Sequence, residues 1–460
     1  MFSSLRKKSR AGGKGASGGG AKGAGGASGG AGAGSAIQGE TLMDLPAFRD
    51  VAVGERPELF RRKLLLCRET YNFHDAGADV REKEAKRQTL LSLVDYANST
   101  KNVFVEGVFR DIVDMVAANL FRTLPPRDED GFDPDEEEPV LEAAWPHLQI
   151  VYEFLLRFVV SSEVDAKVAK RYINHAFILS LLDLFESEDP RERDYLKTIL
   201  HRIYGKYMAL RSFIRRAINN VFFRVMYERE RHNGVGELLE ILGSIINGFA
   251  LPLKAEHKRF LQRALIPLHK AQNVQLFHQQ LSYCITQFVE KDPNVAVGVV
   301  RGLLKYWPHT SSHKQVLFLN ELEEILELVQ PPEFAKLMEA LFGRIADCIG
   351  CPHFQVAERA LFLWNNEYLV SLVAQNRHAV LPLVYGVLSD NKNHWNQTVA
   401  NLAYNVLKLF MEMDQALFDE VKNEHEVTQD QKEKRKAETE AEWESLLKEA
   451  AAMEAEGNHK

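Results

Sequence analysis

Cysteine is scarce in this chain of 460 residues, and long apolar runs are missing. The four cysteines, Cys67, Cys284, Cys348 and Cys351, are too few and too scattered for a disulfide framework, which favours a reducing compartment. No run of about eighteen apolar residues occurs, so we expect no membrane span. The N-terminus lacks the apolar core of a secretory signal. These absences together favour a cytoplasmic protein.

Motifs for catalysis or metal binding are also scarce. The chain has no HExxH zinc motif and no Walker loop. Residues 13–18 match GxGxxG, but no strand precedes them and no helix follows. Cys348-Ile-Gly-Cys351 and the nearby His353 fall short of the four ligands of a structural zinc site, which favours ordinary thiols in a turn between helices. We expect no enzyme, no catalytic residue, no cofactor and no bound metal.

The net charge of −7 is mild for a chain of this size. A general nucleic-acid binder is usually basic overall, so we expect no nucleic-acid partner. With 45% hydrophobic and 26% charged residues, the chain has ample material for a large core.

Composition divides the chain into three parts. Residues 1–42 form a basic tail rich in Gly, Ala and Ser that cannot bury a core, so we expect disorder. Residues 43–425 alternate amphipathic helical segments with short Pro, Gly or Asp punctuation, which predicts an all-α class. Residues 426–460 are rich in Glu, Lys and Ala, so we expect a ragged solvated helix or disorder there.

Helices in the middle part recur in pairs. Pairs can be bracketed near 273–306, 314–348 and 354–389, a spacing of about forty residues that is typical of HEAT-like or armadillo-like units. Asp189-Pro190 and Asp292-Pro293 each predict a helix start, because Pro suits the first helical position after an acidic cap. The fold expected is therefore a helical-repeat solenoid with a long exposed surface.

An acidic segment interrupts this regularity from Asp128 to Glu138. It lacks the spaced ligands and the terminal Glu of an EF-hand loop, so a solvated linker is favoured over a calcium site.

The segment from Asp189 to Lys258 carries two rows of residues at helical spacing, which we expect to lie on one helix. The apolar row predicts a buried face, and the second row contains basic and aromatic side chains that suit an acidic peptide. A solvated helix face is the alternative for the second row. The apolar row is Leu196, Ile199, Leu200, Ile203, Tyr207, Leu210 and Ile214, and the second row is Lys197, His201, Tyr204, Met208 and Arg211.

The next predicted helix, Glu237 to Ala250, is apolar nearly all round. Ile241 and Ile245 lie beside its main apolar face, with Gly243, Ser244 and Gly248 among them. Such a helix is either deeply buried or lends part of its surface to a groove. Lys254 and His257 follow Pro252, which we expect to start the next helix, and they would add basic groups near the end of that groove.

Several long strings resemble the B-prime family of regulatory subunits of protein phosphatase 2A, from about Leu45 to about Glu420. They are Arg122-Thr-Leu-Pro-Pro126, Glu142-Ala-Ala-Trp-Pro-His-Leu-Gln149, the sequence 189–205, the sequence 237–252, Val356-Ala-Glu-Arg-Ala-Leu361, Leu363-Trp-Asn-Asn-Glu-Tyr368 and His394-Trp-Asn-Gln397.

The resemblance implies a solenoid that joins a scaffold subunit and a catalytic serine/threonine phosphatase subunit, and that captures substrates through short LxxIxE peptides. By the resemblance, Tyr204, Ile241 and Ile245 wall a pocket for the peptide Ile. Arg211, Lys254 and His257 receive its Glu, while His201 and Arg202 border the Leu and meet an added phosphate. The whole implied groove is Lys197, His201, Arg202, Tyr204, Arg211, Glu240, Ile241, Ile245, Lys254 and His257.

Judged without the resemblance, a transport or scaffolding solenoid with no phosphatase link is the alternative function. A nuclear pool is the alternative location, because Arg6-Lys-Lys8 and Lys432-Glu-Lys-Arg-Lys436 have the composition of short nuclear signals. Such runs are common in solvated tails, and we favour that simpler interpretation.

Overall fold

The computed structural model describes residues 41–125, 138–228 and 231–457, with side chains as far as residue 450. Helices make up the regular structure, and these ranges contain no strand. None of the helices in these ranges is both long and apolar enough to cross a membrane. The helices are α1 Arg56–Leu66, α2 Val80–Ser99, α3 Phe109–Leu120, α4 Trp145–Val160, α5 Ala166–Ala169, α6 His175–Asp183, α7 Pro190–Lys206, α8 Arg211–Phe223, α9 Val235–Asn247, α10 Ala255–Phe260, α11 Ile266–Leu268, α12 His278–Lys291, α13 Ala296–Lys305, α14 Ser312–Leu326, α15 Pro331–Phe334, α16 Met338–Ile349, α17 Phe354–Phe362, α18 Glu367–Gln375, α19 Arg377–Asp390, α20 Gln397–Met413 and α21 Gln415–Gly457.

The helices stack in two layers. In the first layer each helix packs against the next, in the order α2, α4, α7, α9, α12, α14, α17 and α20. In the second layer α13 packs on α16, α16 on α19, and α19 on α21. One continuous apolar core, from Phe60 to Val421, lies between the layers. Since each helix contacts mainly its sequence neighbours, the architecture is the predicted all-α solenoid.

The repeat pairs follow the predicted spacing. The first-layer helices α12, α14, α17 and α20 begin at His278, Ser312, Phe354 and Gln397, about forty residues apart. Each predicted pair contains its two expected helices, which are α12 with α13, α14 with α16, and α17 with α19. The short helices α15 and α18 are additions within the second and third pairs.

The two Asp-Pro junctions begin helical structure as predicted. The Asp189 carboxylate accepts a hydrogen bond of 2.9 Å from the Arg191 backbone N–H, and α7 starts at Pro190. The Asp292 carboxylate accepts a hydrogen bond of 3.2 Å from the Asn294 N–H. Here a 3₁₀ turn, Pro293–Val295, comes first and leads into α13.

The expectation of one helix for both rows of the 189–258 segment is wrong. Helix α7 ends at Lys206, since Tyr207 leaves the helical region at φ −101° and ψ 78°, and a 3₁₀ turn, Met208–Leu210, leads into α8. Arg211 therefore begins the next helix. The apolar row is nevertheless buried throughout, because the turn at Tyr207 folds its last members back into the core.

The expected helix start at Pro252 is also wrong. Helix α10 begins at Ala255, because Lys254 keeps an extended backbone at φ −67° and ψ 151° while its carbonyl accepts the first helical bonds. Lys254 is therefore the residue that caps α10, and its side chain is exposed.

The three-part division of the chain remains a prediction. Residues 1–40 and the acidic segment 128–137 lie outside the described residues. The expected boundary between 425 and 426 falls inside α21, which runs on to Gly457 as one helix. Along its second half large apolar side chains are exposed, among them Trp443, Leu446 and Leu447, so there the helix packs against no other described part of the chain.

Candidate peptide-binding groove

Two ion pairs cross the seam between α7 and α9. Arg193 Nε lies 2.7 Å from Glu237 Oε1, and one turn later Lys197 Nζ lies 2.9 Å from Glu240 Oε2. Lys197 also pairs with Asp194 of its own helix at 2.9 Å. Partial burial acts to lower the pKa of Lys197, but the bonds to Glu240 and Asp194 outweigh it and raise the pKa above its usual value. Two predicted residues, Lys197 and Glu240, therefore meet directly.

A buried polar network fixes the other side of α7. The fully buried Glu192 carboxylate accepts two hydrogen bonds from the Arg122 guanidinium, at 2.8 and 2.9 Å, and one from the Tyr152 hydroxyl at 2.7 Å. Arg122 also bonds Glu142 at 2.7 Å. Burial acts to lower the pKa of Arg122, but the bonds to Glu192 and Glu142 outweigh burial and raise the pKa above its usual value. We call Arg122, Glu142, Tyr152 and Glu192 the Glu192 network.

Arg211 closes the C-terminal end of α7. Its guanidinium donates to the carbonyls of Tyr204 and Gly205 at 2.9 and 3.0 Å, which are groups that the end of a helix leaves unpaired. The guanidinium carbon also lies 5.3 Å from the centre of the Tyr204 ring. Arg has five N–H donors, so donors remain for a carboxylate ligand.

Arg211 and Arg215 contact the half-buried Tyr204, and we group them with Lys254 and His257 at the start of α10 as the basic cluster. Arg215 donates to the Tyr204 hydroxyl at 3.0 Å and pairs with Glu256 at 3.4 Å. Glu256 is an acidic residue at the edge of the cluster, and it also lies 3.4 Å from His257 Nε2. Glu256 lies near only Arg215 and His257 of the cluster, so Arg211 and Lys254 retain capacity for a second carboxylate.

His257 is held flat against Phe249, with ring centres 3.7 Å apart and planes 6° apart. The side chain is buried, and its Nδ1 has no hydrogen-bond partner among the described residues. Burial lowers the pKa of His257, Arg215 and Lys254 lower it further, and Glu256 opposes them. In the absence of a ligand the imidazole is therefore neutral at neutral pH.

Ile241 and Ile245, which were predicted to wall the pocket for the peptide Ile, are almost covered, with exposed fractions of 2% and 5%. The small Gly243 between them serves a different contact. A Cβ atom at Gly243 would lie 2.8 Å from the Tyr283 ring of α12, so a larger residue would displace this half-exposed ring. Gly243 therefore belongs to the packing between repeats and not to the groove surface.

Three predicted residues have free side chains. His201 and Arg202 are exposed near the C-terminal end of α7, and Lys254 is exposed before α10. None of the three side chains forms a hydrogen bond or ion pair with another described residue. The structure thus places Arg211 against Tyr204, links His257 to Arg215 through Glu256, and joins Lys197 to Glu240. It leaves His201, Arg202 and Lys254 open to solvent.

Sequence reasoning missed Arg215 and Glu256. Arg215 lies one helical turn after Arg211 on α8, and this i, i+4 spacing is the signal that would have identified it. Glu256 has no comparable signal, because its position depends on where α10 begins.

The family model described as "Protein phosphatase 2A regulatory B subunit (B56 family)" matches residues 45–450. The chain belongs to the B56 family. The match covers the groove and every described helix of the solenoid as far as residue 450, so the predicted resemblance is confirmed.

Curated B56 relatives are similar over most of their length. The B' beta isoform of the 57 kDa regulatory subunit from Arabidopsis thaliana is 56% identical over 419 residues, which are 90% of this chain and 84% of the relative. The alpha isoform of the 56 kDa regulatory subunit from Homo sapiens is 53% identical over 406 residues, which are 88% of this chain and 84% of the relative. Both are named as regulatory subunits of protein phosphatase 2A, which confirms the prediction of a regulator and not an enzyme.

Among solved structures, an engineered protein aligns with 80% of this B56 chain and 93% of its own length. The sequence identity is 12% and the TM-score is 0.33, which is too low to bear on the fold.

Proposed function

We propose that this B56 protein joins the scaffold and catalytic subunits of protein phosphatase 2A and recruits substrates that carry LxxIxE motifs. The observation that supports substrate recruitment is the basic cluster near Tyr204. Its one acidic neighbour among the contacts described, Glu256, pairs with Arg215 and His257, which leaves the Lys254 ammonium and part of the Arg211 guanidinium for a ligand. A cluster of this kind suits the capture of an acidic side chain beside an apolar one.

The motif Glu lies against Arg211, Lys254 and His257 in this proposal. Lys254 has no partner among the described residues, and Arg211 keeps donors beyond the two that it spends on carbonyls of α7. The motif Ile packs on the Tyr204 ring above Ile241 and Ile245. These two side chains are nearly covered in the free protein, so most of the contact of the peptide Ile is with the Tyr204 ring and less is with α9.

The motif Leu lies nearer the start of the groove, beside His201 and Arg202. Both are exposed and make no bond to another described residue, so a phosphate on the next peptide residue meets one guanidinium and one imidazole without displacing an internal bond. The pair Lys197–Glu240 borders this end and holds α7 and α9 together.

Calorimetric titration of the full chain with a synthetic LxxIxE peptide tests substrate capture. We expect binding, and we expect the Arg211→Ala variant to lose affinity for the same peptide. A peptide with its Ile and Glu replaced is the control for the motif. No binding by the folded wild-type chain would mean that this B56 solenoid does not recognise the motif.

A pull-down from cell extract tests the assembly. We expect the phosphatase scaffold and catalytic subunits to co-purify with the full chain. Their absence would favour the alternative, a solenoid that acts as a transport or scaffolding protein without the phosphatase. We also propose that the protein acts in the cytoplasm, with a nuclear pool as the alternative, and microscopy of the tagged full chain distinguishes the two.

A further inference from the structure

A cavity of about 330 Å³ opens beside the groove, at the N-terminal ends of α7, α9 and α12. Its walls include Arg193 from α7, Glu237 and Glu240 from α9, and Gln280 from α12. Glu240 is shared with the candidate groove, where it pairs with Lys197. The cavity therefore adjoins the candidate groove at Glu240, and it reaches α12 of the next repeat.

The charges in this cavity are nearly balanced. The three carboxylates Glu188, Glu237 and Glu240 face the guanidiniums of Arg193 and Arg231. Arg193 is bonded to Glu237 at 2.7 Å and also to the carbonyls of Ser187 and Glu188. A cavity with such a balance has little preference for a strongly charged ligand.

Two of the free hydrogen-bonding groups among the described residues of the cavity are amides, and the third is the carboxylate of Glu188. Asn273 and Gln280 are both half-buried, and neither side chain bonds another described residue. A side-chain amide both donates and accepts, as a peptide bond does, so it pairs with the main chain of an extended peptide. Leu276 borders the cavity with 49% of its surface exposed and offers an apolar contact beside the two amides.

The distance from the groove fixes which part of a peptide reaches this cavity. The motif Leu lies beside His201, whereas the cavity begins at Arg193, two turns earlier on α7 and about 12 Å away. An extended peptide covers about 3.3 Å per residue, so this span corresponds to about four residues. The motif Glu lies at the opposite end of α7, so these four residues are the ones that precede the Leu.

We propose that this cavity is an upstream subsite, which binds the main chain of substrate residues about three to five positions before the motif Leu. Asn273 and Gln280 hold the peptide bonds, and Leu276 contacts a side chain. This inference rests on the proposed function and deepens it, because substrates would then differ in affinity through residues outside the motif.

The test compares three peptides on the full chain by calorimetry. One starts at the motif Leu, the second has two more residues at its start, and the third has six, all of Ala, Ser and Gly. We expect the third to bind about five- to tenfold tighter than the first, as one or two added hydrogen bonds would give. The second should gain little, since two residues do not reach the cavity.

Variants of the cavity test whether the added affinity of the longest peptide arises there. Gln280→Ala removes one amide, and Gln279→Ala, the adjacent exposed residue that does not line the cavity, is its matched control. Gly236→Leu fills the cavity from α9, because a Cβ there already lies 3.8 Å from Phe277 and 3.9 Å from Gln280. We expect Gln280→Ala and Gly236→Leu to remove most of the gain of the longest peptide, while affinity for the shortest peptide stays unchanged in all variants.

The outcomes separate the two proposals. If the shortest peptide fails to bind, the proposed function is overturned and this inference with it. If the shortest peptide binds but the longest gains nothing, or the gain survives in Gln280→Ala, the groove stands and the upstream subsite is refuted.

Discussion

The two sides of helix α7 differ in how many polar groups lack a partner. Toward α4, the carboxylate of Glu192 and the guanidinium of Arg122 are fully engaged with each other, with Tyr152 and with Glu142. Three exposed side chains near the C-terminal end of α7 and the start of α10 have no partner among the described residues, namely His201, Arg202 and Lys254. Nδ1 of His257 is unpaired as well.

This difference distinguishes polar groups whose bonds are satisfied within the fold from polar groups that the fold leaves unpaired, which residue type alone does not do. Both sides contain Arg, Glu and Tyr, so composition alone does not distinguish them. The closed network leaves no group for a ligand and is costly to open, because any missing partner leaves a buried charge uncompensated. Substitutions on the open side should change the free energy of unfolding of the free protein little, because they break no internal bond. The donors there are unused and could bind a peptide.

The largest effect is expected from breaking the closed side. Glu192→Ala removes the two bonds that the Arg122 guanidinium donates to this buried carboxylate. We expect the free energy of unfolding to fall by about 3 kcal/mol, as measured by denaturant titration. Arg202→Ala, on the exposed surface of the same helix, is the control and should change it by less than about 0.5 kcal/mol. Equal stability of the two variants would contradict the distinction.

The open side should respond in binding and not in stability. Lys254→Ala removes a free ammonium from the basic cluster, and we expect peptide affinity to fall by about 1 to 3 kcal/mol, the range for a hydrogen bond to a charged group. Calorimetry measures the affinity, and denaturant titration should show no loss of stability. The exposed Arg259→Ala on α10 serves as the control, and a similar loss of affinity there would remove the specific role of Lys254.

A smaller effect should distinguish the two ends of the groove. His201→Ala is expected to weaken a peptide phosphorylated after its Leu by about 1 kcal/mol more than the plain peptide, because only the phosphate needs the imidazole. Parallel titrations of both peptides measure the difference. Equal losses for the two would refute the phosphate role of His201.

The smallest effect is a pH dependence that depends on His257. Burial lowers the pKa of this imidazole below its ordinary value of 6.5, whereas a bound carboxylate favours the charged form and raises it. Binding therefore takes up a proton, and affinity for the plain peptide should rise severalfold between pH 7 and about 5, above the range where the motif Glu itself is protonated.

Titrations at three pH values in that window measure this slope. His257→Gln should flatten it, and the His201→Ala background removes the other imidazole of the predicted groove. A slope that persists unchanged in His257→Gln would assign the proton to another group.

The sequence predicted the packing of this region well, since every residue of the apolar row from Leu196 to Ile214 is buried. Periodicity reports which side chains face the core, and it does so even across a bend. For the same reason it could not reveal that α7 stops at Lys206, because the chain resumes with its apolar positions still aligned to the core.

The details of the groove depend on contacts between helices, which sequence spacing does not contain. The depth of Ile241 and Ile245 is set by how α9 packs, and the meeting of Arg215, Glu256 and Tyr204 requires α8 and α10 to be placed together. No role was predicted for Gly243, which lies between Ile241 and Ile245 in the sequence, and its close neighbour, Tyr283, is forty residues further along the chain.

The pair Lys197–Glu240 lies across a seam between two repeats near the middle of the chain. A change at this seam therefore affects the orientation of many repeats on either side of it. In a stack where each repeat touches only its neighbours, the angle at one seam is carried through every unit beyond it. A peptide bound across this seam, as proposed, would brace α7 against α9. It would thereby restrict the angle between the two repeats, and with it the relative directions of the two ends of the solenoid.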